Sequence, residues 1–229
     1  MSTASVSASL DSLVKIPERF EKWQRLDDSE PFAQLHRNFW GKSMAEEEKA
    51  WHEQQSISDP SSNNQSPEEK SGENTLESKD DDITPGCYVL DIDNELIGIK
   101  RIWVRAEYIR IYDFLVEYYE EIHKRDFLAP AAVLTGQPGI GKSIWLLYAL
   151  LRCLAEKRPV IWGSKSAPHM FVQEGVYDMG KWFPDVVYNN FIWTLLDSDE
   201  SQNGGIPEEF VQHSTKIFVI CTMSPVKKH

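Results

Sequence analysis

The hydrophobic and polar positions of this 229-residue chain change their pattern twice along its length. Apolar residues recur at helical spacing up to about residue 54. They predict three short helices: residues 11–23, a second helix that begins at Pro31, and residues 44–54. Residues 55–86 are almost wholly polar and cannot bury enough apolar surface to offset the entropy of ordering. We therefore expect a helical N-terminal segment over residues 1–54 and a disordered acidic linker over residues 55–86.

From residue 87 to residue 229, short apolar runs alternate with helical patterns. The runs predict strands at residues 88–90, 96–99, 131–135, 159–162, 190–197 and 217–222, with a hairpin over residues 170–179. Helical spacing predicts helices at residues 105–124 and 142–157. Alternation of strands and helices predicts an α/β domain with a mostly parallel sheet and right-handed crossovers.

One stretch between a predicted strand and a predicted helix fits the phosphate-binding loop pattern G-x-x-x-x-G-K-[ST] at every fixed position. It consists of Gly136, Gln137, Pro138, Gly139, Ile140, Gly141, Lys142 and Ser143. Glycines let several backbone N–H groups point at one anion, and the Lys142 ammonium can reach the β- and γ-phosphates of a nucleotide. The Ser143 hydroxyl is a ligand for Mg²⁺. The glycine spacing does not fit the dinucleotide-binding pattern G-x-G-x-x-G. We expect a nucleoside triphosphate, ATP, together with Mg²⁺.

An aspartate ends the apolar run over residues 190–197. Ligands of parallel α/β sheets bind at the carboxyl ends of the strands, so Asp197 is expected to hold Mg²⁺ opposite Ser143. Asp199 or Glu200, which come shortly after it, would position the attacking water molecule. Together with Lys142 they are the expected catalytic residues. The alternative is that Asp197 only caps a turn or helix in the acidic segment 197–200.

Charge and cysteine usage narrow the classes of function. The net charge is −12, and residues 1–86 hold 18 of the 36 acidic residues but 9 of the 24 basic ones. This balance argues against a nucleic-acid or membrane-surface binder along the whole chain. The three cysteines form no C-x-x-C pair, which indicates free thiols in a reducing compartment.

The N-terminus carries no secretory signal pattern, and the longest apolar run, residues 144–151, is too short to span a bilayer. We expect an intracellular protein, cytoplasmic or nuclear. The aromatic residues of the N-terminal helices would either bind a protein partner or pack on the main domain.

Taken together, the loop, the helix after it, the strand that ends at Asp197 and the strand at residues 217–222 resemble a known family. They are similar to the P-loop NTPase module of Crinkler and retrotransposon-hot-spot type proteins, which is related to AAA and signalling ATPases. The resemblance implies a three-layer P-loop sandwich in which the strand at residues 217–222 lies between the loop strand and the aspartate strand. Many relatives in that family carry a further C-terminal domain, which is sometimes nuclease-like.

The chain departs from the family pattern directly after Asp197. Ser198 occupies the position at which the family places a catalytic glutamate. The domain over residues 87–229 is also expected to be truncated, before the last core strand and any arginine finger. Three functions stay open: an ATPase, a nucleotide-dependent switch or scaffold without hydrolysis, and a small-molecule P-loop kinase. ATP is favoured over GTP because the chain has no N-K-x-D guanine motif.

Overall fold

The computed structural model describes residues 23–44, 87–92, 100–123, 131–163, 167–180, 192–197 and 217–223. The strands in these ranges are β1 Gln24–Arg25, β2 Cys87–Asp91, β3 Arg101–Arg105, β4 Ala131–Thr135, β5 Val160–Gly163, β6 His169–Val172, β7 Gly175–Asp178, β8 Ile192–Asp197 and β9 Ile217–Met223. The helices are α1 Pro31–Phe39, α2 Ala106–His123 and α3 Lys142–Ala155. Within the described ranges no helix is long and apolar enough to cross a membrane.

Seven of the strands form one sheet in the order β1-β7-β6-β5-β8-β9-β4. The four strands β5, β8, β9 and β4 are parallel, whereas the pairs β5–β6, β6–β7 and β7–β1 are antiparallel. The expected α/β class is confirmed, but the prediction of a mostly parallel sheet was wrong. The physical reason is the β6–β7 hairpin: its two-residue turn can join only antiparallel strands, and the hairpin extends the sheet instead of lying outside it.

The strand order places β9 between β4 and β8. This confirms that the strand near the C-terminus inserts between the strand before the glycine-rich loop and the strand that ends at Asp197. Asp197 is paired with Thr222, and Thr222 is paired with Leu134. The carboxyl ends of three parallel strands therefore lie in one row at one edge of the sheet.

Both faces of the central strands β8 and β9 are buried, whereas alternate residues of the outer strand β4 are exposed on one face. On one face, α3 packs through Trp145 and its neighbouring leucines, and α2 packs through Tyr118 and Tyr119. The Tyr119 ring lies 6.0 Å from that of Trp193 in β8 and 5.8 Å from that of Phe218 in β9. The opposite face has its own buried cluster, which includes Ile161, Met170, Val172, Ile192, Leu196, Ile217 and Cys221. Burial on both faces explains why β8 and β9 are mostly apolar and show no alternation of polar and apolar residues.

The part of the N-terminal region that the structure describes packs on this domain. The predicted helix at Pro31 is confirmed as α1, and the ring of Phe32 lies 5.6 Å from that of Phe171 in β6. His36 donates a hydrogen bond from Nε2 to the Val172 carbonyl at 2.7 Å. Two residues of the same region form β1 at the sheet edge, which the sequence did not predict.

Other predicted elements meet the structure only in part. Trp23, the expected end of the first helix, is not helical, and the rest of that helix lies outside the described residues. The third helix beyond Met44, the linker over residues 55–86 and the strand at residues 96–99 also lie outside the described residues. β2 pairs with β3, a strand that the sequence did not predict, and the two form a separate ribbon that leads directly into α2.

Candidate functional site

The glycine-rich loop joins the end of β4 to the start of α3, the strand–loop–helix order that its motif requires. Gly141 precedes the helix with φ 95°, a left-handed value that favours glycine, and provides no side-chain cap. The first helical hydrogen bond runs from the Trp145 N–H to the Gly141 carbonyl at 2.8 Å. The N–H groups of Lys142, Ser143 and Ile144 consequently have no partner within the helix. Such a helix start attracts an anion through these donors and the helix dipole.

Lys142 lies inside the curve of the loop. Its side chain points back toward the loop, and its exposed fraction is 5%. Nζ donates to the Gly136 carbonyl at 3.2 Å and to the Gln137 carbonyl at 3.1 Å. An ammonium has three donors, so these two bonds hold the charge in place and leave one N–H for an anion. The residues Gln137, Pro138, Gly139, Ile140 and Ser143 are exposed and form the open side of the loop.

The last residue of β3 and the first turn of α2 clamp the C-terminal half of the loop. Tyr108 donates from Oη to the Gly141 carbonyl at 2.9 Å, and Arg105 donates from Nη1 to the Ile140 carbonyl at 3.3 Å. The indole N–H of Trp145, on α3, donates to the Tyr108 carbonyl at 3.1 Å. Burial raises the pKa of Tyr108, which keeps its hydroxyl protonated as a donor.

This clamp also explains why position 141 is a glycine. A Cβ there would overlap Tyr108 Oη. The helical spacing of residues 105–124 gave no indication that Tyr108 contacts the loop. The contact joins residues 33 positions apart and left no local signal in the sequence.

Asp197 lies at the same edge of the sheet as the loop. Leu195 and Ile220 pack on the face that α3 covers, so Asp197 and Thr222, each two residues later, lie on that face as well. Thr222 is fully buried and donates from Oγ1 to Asp197 Oδ1 at 2.8 Å, which fixes the orientation of the carboxylate. Two strand spacings separate Asp197 from Leu134, about 10 Å between Cα atoms, and the loop begins two residues after Leu134.

The structure thus brings Lys142, Ser143 and Asp197 to one edge and one face of the sheet. Asp199 and Glu200, expected to position water, lie outside the described residues, as does Ser198. No group of three or more His, Cys, Asp or Glu side chains in the described ranges could hold a metal ion. The available donors are a hydroxyl and a carboxylate. This small oxygen set fits Mg²⁺, which takes few protein ligands and completes its coordination with phosphate oxygens and water.

Comparison with known proteins adds no relative. No protein-family model, no curated protein and no solved structure matches this chain.

Proposed function

We propose that this protein binds the triphosphate of a nucleoside triphosphate, ATP, with Mg²⁺ at the Gly136–Ser143 loop. One observation carries the proposal: the loop opens α3 with its lysine side chain buried inside the curve, bonded to the loop's own carbonyls. An incidental glycine turn does not need a buried ammonium, because burying an uncompensated charge costs on the order of several kcal/mol. We assign the domain to the P-loop three-layer sandwiches with an additional strand, the class indicated by its resemblance to the Crinkler-type module.

Each residue has a separate task in this proposal. Lys142 neutralises charge on the β- and γ-phosphates, while the N–H groups at the start of α3 bind phosphate oxygens. Ser143 and Asp197 hold Mg²⁺, and Thr222 orients the Asp197 carboxylate through its hydroxyl. When bound, Mg²⁺ would bridge phosphate oxygens and offset the negative charge of the triphosphate.

Hydrolysis of ATP requires a residue after Asp197 that positions water, whereas binding without hydrolysis does not. In an ATPase, Asp199 or Glu200 would orient the attacking water. The alternative is a nucleotide-dependent switch that binds without turnover, which Ser198 in the position of the family's glutamate favours. Phosphate release in the presence of Mg²⁺ that Asp197→Asn abolishes would establish the ATPase and exclude the switch.

Titration of a fluorescent ATP analogue into wild type, Lys142→Ala and Lys42→Ala tests the phosphate loop. The control residue Lys42 is exposed and lies next to Gly41, whose N–H donates to the Leu154 carbonyl near the far end of α3. The length of α3 places Lys42 about 20 Å from Lys142. Lys42→Ala therefore removes the same charge far from the loop. Loss of a charge-assisted hydrogen bond, about 1.5–3 kcal/mol, is expected to weaken Lys142→Ala at least about tenfold. Lys42→Ala should bind as wild type does. Equal affinity of all three proteins would refute the proposal.

A further inference from the structure

The outer face of the β2–β3 ribbon carries a large exposed aromatic side chain. In the ribbon, Trp103 is opposite Val89, and their exposed fractions are 56% and 43%. The residues of the other face, among them Leu90, Ile102 and Val104, are buried in the main core. The ribbon therefore packs by its inner face and presents an indole on its outer face. A single exposed apolar residue needs no explanation by itself, so the position of the indole is the informative observation.

That position is beside the phosphate loop. Arg105 is two residues after Trp103 on the same strand, so both side chains are on the same face of the ribbon. The Arg105 guanidinium reaches the loop, donating to the Ile140 carbonyl at 3.3 Å. The rise of a strand places the Cα atoms of Trp103 and Arg105 about 7 Å apart. The outer face of the ribbon thus runs from the loop, through Arg105, to the indole.

The charges on this face suit a polyanionic ligand. Trp103 is flanked on its strand by Arg101 and Arg105. Arg101 is paired with Asp91 at 2.6 Å, whereas the hydrogen bond from Arg105 is to a neutral carbonyl. Arg105 therefore brings a positive charge to the rim of the loop, on the side that faces the ribbon.

We propose that Trp103 is the platform on which the base of the bound nucleoside triphosphate stacks, with Arg105 between base and phosphates. This inference rests on the proposed function, because the loop must first hold the triphosphate. The indole offers a flat π surface, and every nucleobase has a π face, so the platform binds adenine and guanine alike.

The test compares ATP with inorganic tripolyphosphate, which has the phosphates but no base. Each is titrated calorimetrically, with Mg²⁺, into wild type, Trp103→Ala, Trp103→Phe, Val89→Ala and Lys142→Ala. The Trp103→Ala variant is expected to bind ATP at least about fivefold more weakly than wild type, because the base no longer stacks. Its affinity for tripolyphosphate should stay unchanged. Trp103→Phe restores ATP affinity in large part, because the aromatic face remains. Val89→Ala, a truncation on the same exposed face, binds both ligands as wild type does.

The outcomes separate this inference from the proposed function. If Lys142→Ala weakens both ligands but Trp103→Ala leaves ATP affinity unchanged, the loop binds phosphate and the platform is wrong. If Trp103→Ala weakens both ligands equally, the indole supports the loop instead of a base, and the platform is again wrong. If wild type binds neither ligand, the proposed function fails. A loss of self-association in Trp103→Ala during sedimentation, with ATP affinity unchanged, would make this face a docking surface for a second copy and overturn the proposal.

Discussion

Replacing Gly141 by alanine tests whether the contact between Tyr108 and the loop stabilises the folded protein. The residue has φ 95°, and a backbone conformation of this kind costs a side-chain-bearing residue about 1–3 kcal/mol. The new Cβ also overlaps Tyr108 Oη, so the hydrogen bond to the Gly141 carbonyl is broken. A broken bond of this type adds about 0.5–1.5 kcal/mol. The free energy of unfolding should therefore fall by about 1.5–4.5 kcal/mol.

Two further variants separate these contributions. Tyr108→Phe removes the overlapping oxygen, and the next ring atom, Cζ, is 3.5 Å from the position of the new Cβ, an ordinary contact. Gly139 is the matched control: its φ is 83°, and no atom lies within 4 Å of its Cβ position. Gly139→Ala should lower the free energy of unfolding only through its backbone conformation, and adding Tyr108→Phe should not restore any of that loss.

The assay is urea unfolding of the single and double variants at equal m-value. The double variant of Gly141→Ala with Tyr108→Phe should be at least about 1 kcal/mol more stable than the sum of the two single losses predicts, because contacting sites are not additive. Additivity within about 0.5 kcal/mol, the range of independent sites, would refute the clamp. So would the same relief by Tyr108→Phe in the background of Gly139→Ala.

Three further predictions concern the metal, the thiols and pH. Asp197→Asn should weaken ATP binding in Mg²⁺ but not in EDTA, as measured by the fluorescence titration, because the carboxylate acts on the metal. Burial raises the pKa of Cys153 to about 12, so at about pH 8 its thiol should resist alkylation in the native protein, while the half-buried Cys87 reacts; peptide mass spectrometry would locate the label. Burial lowers the pKa of His36 below its ordinary value of 6.5, so below about pH 6.5 the unfolded chain takes up a proton that the native state resists. Stability should fall as the pH drops from about 7.5 to about 5.5, and His36→Gln, which keeps a donor for the Val172 carbonyl, should reduce that fall in urea unfolding. Reactivity of native Cys153 equal to that of Cys87, or an unchanged pH dependence in His36→Gln, would contradict the respective assignment.

The elements around the loop were predictable because their signals are local. β4, α3 and β8 are marked by apolar runs whose ends coincide with glycine, proline or aspartate. β1 was missed because a two-residue segment becomes a strand only through its pairing with β7, more than 150 positions away. The mixed sheet was missed for a related reason. The turn of the β6–β7 hairpin is visible in the sequence, but nothing in a single sequence shows that the hairpin continues the sheet beside β5.

The candidate site divides in the same way. The loop and its lysine are contiguous in sequence, so a pattern suffices to find them. The row of Asp197, Thr222 and Leu134 depends on strand order, and the position of β9 came from the family resemblance rather than from periodicity. The clamp by Tyr108 and Arg105 depends on side chains that meet only after α2 has packed beside α3, which a single sequence does not encode at any fixed spacing.

Equilibrium dialysis of radiolabelled ATP with Mg²⁺ tests the central claim most directly, since it measures both stoichiometry and affinity. The wild-type chain is predicted to bind one ATP per chain. Lys142→Ala should lose at least about tenfold in affinity, and the distant Lys42→Ala should lose none. Binding of ATP by Lys142→Ala with wild-type affinity and stoichiometry would contradict the assignment of the loop as a triphosphate site.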